Sequence, residues 1–236
     1  MARSRPPDPS SKRLTNRRRR SASSRQWLER QLRDPYVADA RRLGFRSRAA
    51  FKLIELDDRF HLLKPGGRVL DLGAAPGGWT QVAVARVRAG EARGGRVVGA
   101  DLTPIDPIAG ANLVEGDAGE EAMPDRLRAL LGGAADVVLS DMAPPAIGHA
   151  SADHLRIMAL AEVAFAVALA VLAPGGAFLC KVWQGGTETG LLQQLKRCFA
   201  TVRHAKPPAS RAESAEMYVI AQGFRGGGGR PDGETA

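Results

Sequence analysis

Residues 69–80 read VLDLGAAPGGWT, an apolar run that leads into a glycine-rich bend. A short Val/Leu-rich run that stops at glycine and proline is typical of a buried strand followed by a turn. Gly73, Gly77 and Gly78 permit unusual φ angles and let the backbone approach a ligand closely. The spacing matches neither the dinucleotide fingerprint nor the phosphate-binding loop, because Ala-Ala-Pro follows Gly73 and no Gly-Lys-Ser/Thr comes after the bend. The bend therefore predicts either a tight strand–helix turn or a site for a ligand that is not recognised through phosphate.

Strands alternate with helical patterns on both sides of this bend. The predicted strands are residues 68–74, 96–102, 111–117, 135–142 and 176–183. Helical segments lie between them at residues 79–90, 121–132 and 152–176. The alternation predicts an α/β fold, a parallel sheet with helices on both faces. The last two strands, residues 200–207 and 216–224, follow each other without a helix, so we expect an antiparallel hairpin at the sheet edge.

The composition indicates a soluble globular chain. Its 236 residues, 44% hydrophobic and 25% charged, suffice for one sizeable domain with a short appendage. No apolar run approaches the roughly 20 residues of a membrane helix, so we expect no membrane association. Cys180 and Cys198 form no disulfide framework, which favours a reduced, cytoplasmic protein. The four histidines lack metal-ligand spacing, so we expect no structural metal.

The positive charge is concentrated at the start of the chain. Residues 1–52 carry 16 Lys and Arg against 4 Asp and Glu, and residues 17–20 are four consecutive arginines. We predict a disordered basic arm over residues 1–22, one domain over residues 23–225 and a disordered tail over residues 226–236. A nucleic-acid-binding arm is favoured over a merely solvated tail. A targeting peptide is disfavoured because prolines at positions 6, 7 and 9 oppose an amphipathic helix.

Acidic residues end the second and third predicted strands. Asp101 closes VVGAD and Asp117 closes NLVEGD. In a parallel sheet, ligands bind at the carboxyl ends of the strands. An acid after the second strand suits a ribose diol, and one after the third suits an adenine amino group. Either acid alone is more often a turn residue, but together with the bend they indicate an adenosine cofactor such as S-adenosylmethionine.

Four further charged residues are candidates for chemistry. Asp141 ends the fourth strand, Lys181 lies inside the fifth, Glu216 opens the last, and Lys52 lies on the helix that precedes the sheet. A lysine within an apolar strand is costly unless it is paired or functional. Each residue alone is as readily a surface charge or a structural ion pair. Together they offer two lysines and two carboxylates that could converge beside the cofactor.

The sequence resembles a known family, the FtsJ-type ribosomal RNA 2′-O-methyltransferases, in particular their bacterial RlmE group. The resemblance covers the chain from about residue 21 to residue 224. It is carried by the motifs SASSRQWL, DPYV, RSRAAFKL, DLGAAPGGW, DLTPIDPI, SDMAP, LAPGGAFLCKVWQG and SRAESAEMYVIA. In two places the sequence departs from the family pattern. Pro145, Ala146 and Ile147 follow SDMAP where asparagine and then small polar residues are expected, and the Arg-rich extension is longer than expected.

The resemblance implies a fold, a site and an activity. The fold is the Rossmann-like class I methyltransferase fold, a mostly parallel seven-stranded sheet. The implied catalytic tetrad is Lys52, Asp141, Lys181 and Glu216. The implied cofactor contacts are Gly77, Trp79, Asp101, Asp117 and Asp141, beside Gly73 and Gly78 of the bend. The implied activity is S-adenosylmethionine-dependent methylation of a uridine 2′-hydroxyl in 23S ribosomal RNA, by a monomer acting on the large subunit.

The mechanism needs a general base, because a ribose 2′-hydroxyl must lose its proton as its oxygen attacks. Lys181 can act only as the neutral amine, and we expect burial and the nearby cation of Lys52 to lower its pKa. Asp141 would orient Lys181, and Glu216 would position Lys52 or the ribose. Two alternatives stay open: a 2′-O-methyltransferase of another RNA, such as a tRNA or an mRNA cap, and a non-catalytic RNA-binding ribosome assembly factor.

Overall fold

The computed structural model describes residues 34–145, 147–183 and 189–226. The predicted basic arm over residues 1–22 and almost all of the predicted tail over residues 226–236 lie outside this part of the chain. Both boundaries therefore stay predictions. Everything below concerns the described residues.

A seven-stranded, mostly parallel sheet forms the centre of the molecule, as predicted. In space the strands lie in the order β3-β2-β1-β4-β5-β7-β6. Neighbouring strands from β3 to β5 pair in parallel, whereas β7 pairs antiparallel with both β5 and β6. The predicted C-terminal hairpin is thus confirmed. The strands are β1 Arg68–Leu72, β2 Arg96–Asp101, β3 Ala111–Glu115, β4 Ala135–Ser140, β5 Leu172–Trp183, β6 Phe199–Ala205 and β7 Glu216–Phe224.

Helices cover both faces of the sheet. They are α1 Pro35–Arg42, α2 Ala49–Phe60, α3 Gly78–Val87, α4 Met123–Leu131, α5 Ala150–Val171 and α6 Thr189–Cys198. The sequence patterns did not predict α6. The helix predicted over residues 152–176 ends earlier, at Val171, and β5 begins at once with Leu172. Pro174 has no N–H to donate to a helix, and Gly175 has a φ of 82°, so the helix cannot continue through them.

Two apolar layers pack the helices against the sheet. One layer lies between the sheet and α4, α5 and α6, and the other between the sheet and α2 and α3. Side chains of β1 alternate between them, with Leu70 and Leu72 in the first layer and Val69 in the second. Leu53 of α2 is completely buried in the second layer. This packing fixes α2, and therefore Lys52, beside the strands that carry the other candidate residues.

Helix α5 is apolar on most of its surface. The most apolar 18-residue stretch within Ser151–Val171 has a mean hydropathy of 1.8, so by length and composition this segment could cross a membrane, contrary to the sequence-based expectation. In the fold, Met158, Ala161, Phe165 and Ala168 belong to the first core layer. A core helix of a globular domain passes the same test of length and composition.

Candidate active site

A cavity of about 590 Å³ opens at the carboxyl ends of the parallel strands. Five of the sequence-predicted site residues line it: Gly73, Asp101, Asp117, Asp141 and Lys181. The ends of β1 to β5 contribute them, because parallel strands bring their carboxyl ends to the same edge of the sheet. The predicted donor site and part of the predicted tetrad therefore share one cavity.

Position 73, where β1 ends beneath the β4–α5 loop, has room only for glycine. Its φ is 74°, and a β-carbon at this position would lie 2.7 Å from Met142 Cγ and 2.9 Å from Met142 Cα. Those distances are too short for any side chain, because the Met142 backbone cannot move away easily. The Ala75–Pro76 peptide that follows is cis. The bend is thus closely packed against the end of the fourth strand.

Gly77, Gly78 and Trp79 are not among the lining residues; Gly78 and Trp79 pack α3 against the start of α2, whereas Gly77 lies against Ile108 and Arg46. A β-carbon on Gly78 would collide with Ser47 Oγ. Trp79 is buried, and its indole Nε1 donates a hydrogen bond to the Ala49 carbonyl at 2.8 Å. Packing accounts for Gly78 and Trp79 in this structure. The predicted cofactor contacts of these three residues stay predictions.

The acids at the ends of β2 and β3 are held by the backbone of their own loops. Asp101 accepts hydrogen bonds from the amides of Ala75 at 3.0 Å and Thr103 at 2.8 Å. Asp117 accepts one from the Gly119 amide at 2.8 Å. Each carboxylate oxygen has two lone pairs, so both residues keep acceptor capacity toward the cavity.

The cavity suits an uncharged nucleoside better than a nucleotide. Among the described residues that line it, Lys181 is the one cation and none is an arginine. Leu102, Leu160 and Val163 provide apolar surface for a base. The acceptors of Asp101 and Asp117 fit ribose hydroxyls and an adenine amino group, as S-adenosylmethionine would present them.

The predicted tetrad forms one continuous network, and a buried tyrosine connects its two pairs. Lys181 Nζ donates to Asp141 Oδ1 at 2.9 Å and to the Asp141 carbonyl at 2.8 Å. Lys52 Nζ lies 2.6 Å from Glu216 Oε1. Between the pairs, the Tyr218 hydroxyl donates to Asp141 Oδ1 at 2.8 Å and accepts from Lys52 Nζ at 3.2 Å.

Sequence reasoning missed Tyr218, although a signal was available. Tyr218 lies two residues after Glu216 on β7, so both side chains point to the same side of the strand. A tyrosine inside an otherwise apolar strand needs a partner for its hydroxyl once it is buried. The partners, Asp141 and Lys52, are distant in sequence and are recognisable only in the fold.

The electrostatics of the network correct one sequence-based expectation. Burial by itself would lower the pKa of Lys181, but the charge and hydrogen bond of Asp141, with the charge of Glu216, outweigh burial and raise this pKa above its ordinary value. Burial likewise opposes the carboxylate of Asp141, but Lys181 and Lys52 outweigh it and hold the pKa of Asp141 below its ordinary value. Without substrate, Lys181 is therefore a charged ammonium. The expectation of a lowered Lys181 pKa was wrong, because it weighed burial and the charge of Lys52 but not the opposing negative charge of Asp141.

A second buried acid, Asp71, lies on β1 outside the cavity lining. Its Oδ2 accepts a hydrogen bond from the Thr80 hydroxyl at 2.6 Å, and its Oδ1 has no hydrogen-bond partner. Burial, assisted by the negative charges of Asp141 and Asp101, raises the pKa of Asp71 to about 7, although the bond from Thr80 acts in the opposite direction. Asp71 therefore titrates near neutrality.

The unusual residues after SDMAP are held by side chains from the first two turns of α5. Buried Asp153 accepts hydrogen bonds from the amides of Ile147 at 3.0 Å and Gly148 at 3.2 Å. Arg156 donates to the Pro145 carbonyl at 2.9 Å. Asp153 and Arg156 therefore fix the loop in which the sequence departs from the family pattern. Ala146 lies outside the described residues.

A parallel sheet of five strands with an antiparallel β7 inserted next to β5 defines a Rossmann-like methyltransferase. The family model described as FtsJ-like methyltransferase matches residues 45–224, which include every candidate site residue. The chain belongs to this family. S-adenosylmethionine is the methyl donor of its members.

Relatives with closely similar sequences share one name. A protein of Paramagnetospirillum magneticum named "Ribosomal RNA large subunit methyltransferase E" is 64% identical over 89% of this chain and 86% of its own length. A protein of the same name from Granulibacter bethesdensis is 59% identical over 91% of both chains. A crystal structure from Plasmodium falciparum, provisionally named a ribosomal RNA methyltransferase, is 31% identical with a TM-score of 0.68, covering 77% of this chain and 100% of that one.

Proposed function

We propose that this protein transfers a methyl group from S-adenosylmethionine to the 2′-hydroxyl of a uridine in the 23S ribosomal RNA of the large subunit. The observation that carries the proposal is the network of two lysines and two carboxylates at the edge of the cavity. The relatives named for ribosomal RNA large subunit methylation cover most of the chain and support the choice of RNA.

The cofactor would be held by the cavity residues. Asp101 accepts from the ribose hydroxyls and Asp117 from the adenine amino group, while Gly73 leaves room for close approach of the backbone. When bound, S-adenosylmethionine supplies a methyl group on a positively charged sulfur. Gly77, Gly78 and Trp79 contribute by fixing the start of α3 beneath the bend.

The acceptor hydroxyl needs a group that takes its proton, and Lys181 is the candidate. As an ammonium, Lys181 must first lose its own proton, so only the amine fraction of the protein is active at a given pH. Positive charge brought into the cavity beside Lys181 lowers the pKa of this residue and increases that fraction. Asp141 orients the Lys181 amine through two hydrogen bonds. Bound and aligned reactants account for much of the remaining rate.

The second pair, Lys52 and Glu216, positions the ribose. Glu216 Oε1 forms an ion pair with Lys52 and accepts a hydrogen bond from the Ser210 hydroxyl, so two residues hold the same carboxylate oxygen. The hydroxyl of Tyr218 bonds to both Lys52 and Asp141 and so fixes the position of this pair relative to Asp141. The protein would act as a cytoplasmic monomer on the large subunit, with the arginines of residues 1–22 adding contacts to RNA phosphates.

The test is to map 2′-O-methylation across total RNA from a strain that lacks the protein, and then to restore methylation in vitro with purified protein, large subunits and S-adenosylmethionine. We expect the loss of methylation at one 23S uridine and its recovery only with the active protein. Loss at a tRNA or cap position would assign another RNA substrate. Unchanged methylation everywhere would leave the non-catalytic assembly factor as the better hypothesis.

A further inference from the structure

The two halves of the loop that joins β4 to α5 are held by different parts of the fold. The first half is held by the sheet, where the Asp141 amide donates to the Leu72 carbonyl at 3.3 Å. The second half, residues 145, 147 and 148, is held by the side chains of Asp153 and Arg156 from α5. Among the described residues of the loop, only the first half lines the cavity of about 590 Å³. The second half therefore has no part in the proposed cofactor site.

Two consecutive residues of α5 connect this second half to the end of β5. Asp153 accepts a hydrogen bond from the Ile147 amide at 3.0 Å, and the ring centre of His154 lies 6.5 Å from that of Trp183. The Ile147 side chain is 55% exposed, and Trp183 is half-buried. One turn of helix thus holds two accessible, uncharged side chains near the end of β5. We call Ile147 and Trp183 the apolar rim.

The apolar rim adjoins the network on its acceptor side. Trp183 follows Lys181 by two residues on β5, so both side chains leave the same side of the strand, and Trp183 pairs in register with Glu216. The charges nearest the rim are engaged with each other and with the loop, since Arg156 lies 3.9 Å from Asp153 and donates to a loop carbonyl. An uncharged surface suits a nucleobase rather than a phosphate, because bases stack on aromatic side chains.

We infer that the apolar rim binds the base of the target nucleotide, with Trp183 and Ile147 as its contacts and Asp153 as a positioning residue. This inference rests on the proposed function. In a nucleotide the base is attached to the ribose carbon next to the one that bears the 2′-hydroxyl. A ribose whose 2′-hydroxyl reaches Lys181 therefore carries its base toward the next side chain on the same side of β5, which is Trp183. Asp153 fixes the loop that places Ile147 beside it.

The test compares Trp183 variants on two substrates. Trp183→Ala should lower kcat/KM for the large subunit roughly five- to a hundredfold, the loss typical of one base–aromatic stack, while affinity for S-adenosylmethionine stays within about twofold. An abasic subunit, whose target nucleotide lacks its base but keeps its ribose, should show a similar loss with wild-type protein. Because both changes remove the same contact, Trp183→Ala should cause little further loss on the abasic subunit. Trp183→Phe should keep most of the wild-type kcat/KM, because it keeps an aromatic ring.

Asp153→Asn tests the positioning role. The two carboxylate oxygens of Asp153 accept from the amides of Ile147 and Gly148, whereas an asparagine side chain has a single acceptor oxygen. One backbone amide then loses its partner, so kcat/KM for the intact subunit should fall about tenfold. Affinity for S-adenosylmethionine should not change, because the first half of the loop is held by the sheet. On the abasic subunit the effect of Asp153→Asn should nearly vanish.

Two matched variants serve as controls. Leu169→Ala, an exposed apolar residue at the far end of α5, and Asp125→Asn, an exposed acid in the first turn of α4, should leave kcat/KM unchanged. Full, additive losses from the protein and RNA changes would overturn the inference. Equal losses of cofactor affinity and of kcat/KM would also overturn it, because they would reduce Trp183 and Asp153 to structural roles. If wild-type protein does not methylate the intact subunit, the proposed function fails instead.

Discussion

The cofactor side and the acceptor side of the crevice share one edge of the sheet but are built from different contacts. On the cofactor side, Asp101 and Asp117 are held by backbone amides only a few residues away, or by the neighbouring bend. On the acceptor side, charged side chains hold one another across the fold, and Lys52 and Tyr218 are 166 residues apart in sequence. On the first side, short-range backbone contacts therefore orient the carboxylates. The second exists only when α2, β4, β5 and β7 are all packed.

If the cofactor side and the acceptor side act separately, the largest effect on the rate should come from a substitution of Lys181. Lys181→Arg should lower the single-turnover rate at saturating RNA and cofactor at least about a hundredfold, because guanidinium cannot release its proton near neutral pH. Lys196→Arg, on exposed α6, should retain the wild-type rate. A rate for Lys181→Arg within tenfold of wild type would remove Lys181 as the base and favour Asp141.

The single-turnover rate of the wild-type protein should also depend on pH, and it should rise as the pH rises. The charge of Asp141 raises the pKa of Lys181 in the free protein, so its amine is the minor form at neutral pH. The logarithm of the wild-type rate should therefore rise by about one unit per pH unit through the neutral range. A flat profile from pH 6 to 9 would contradict a rate limited by the Lys181 amine.

On the cofactor side, Asp101→Ala should affect affinity rather than rate. We expect S-adenosylmethionine to bind roughly ten- to a hundredfold more weakly, because a charged hydrogen-bond acceptor is lost. The rate at saturating cofactor should stay within a fewfold of wild type. Asp106→Ala, an exposed residue of the same loop, is the matched control. Calorimetry that shows equal affinity for Asp101→Ala and Asp106→Ala would exclude the ribose contact.

A smaller effect should follow from Tyr218→Phe, which removes the hydroxyl between the two pairs of the network. The hydroxyl bonds to Asp141 and Lys52, but each of these keeps its main partner, Lys181 or Glu216, in the variant, so we expect kcat to fall by at most about tenfold. Cofactor affinity should not change. Tyr36→Phe removes a hydroxyl that contacts Glu55 outside the network and should leave kcat as it is. Equal kcat values for both variants would mean that Tyr218 does not couple the two pairs.

The last prediction concerns Asp71 and the stability of the fold, not the reaction. Burial raises its pKa to about 7 in the folded state, so between about pH 4 and 7 the folded protein keeps a proton that the unfolded chain releases. Through this residue, rising pH destabilises the fold across that window, by up to about 1.4 kcal/mol per pH unit. Asp71→Asn should lack this contribution, and exposed Asp106→Asn should keep it. Urea unfolding curves with the same pH dependence for Asp71→Asn and wild type would be the contrary result.

Much of the fold could be predicted from the sequence, because the sequence patterns that indicate strands, helices and turns are local. Turn-bounded Val/Leu runs alternating with helical segments predicted the strands and their parallel arrangement, and the missing helix before Glu216 predicted the hairpin. Helix α6 was missed, although it lies between the predicted fifth and sixth strands. The end of α5 was placed too late because its apolar pattern runs on toward Pro174, where the backbone can no longer be helical.

The sequence by itself determined which residues could do the chemistry: the acids at successive strand ends, and Lys52, Asp141, Lys181 and Glu216 in matching motifs. Only the tertiary structure decided their partners and charge states. It placed Tyr218 between the two pairs and gave Gly78 and Trp79 a packing role. It also reversed the expected pKa shift of Lys181. The physical reason is that residue type and burial tendency are local properties, whereas the balance between desolvation and a charged partner depends on a distance of a few ångströms between segments far apart in the chain.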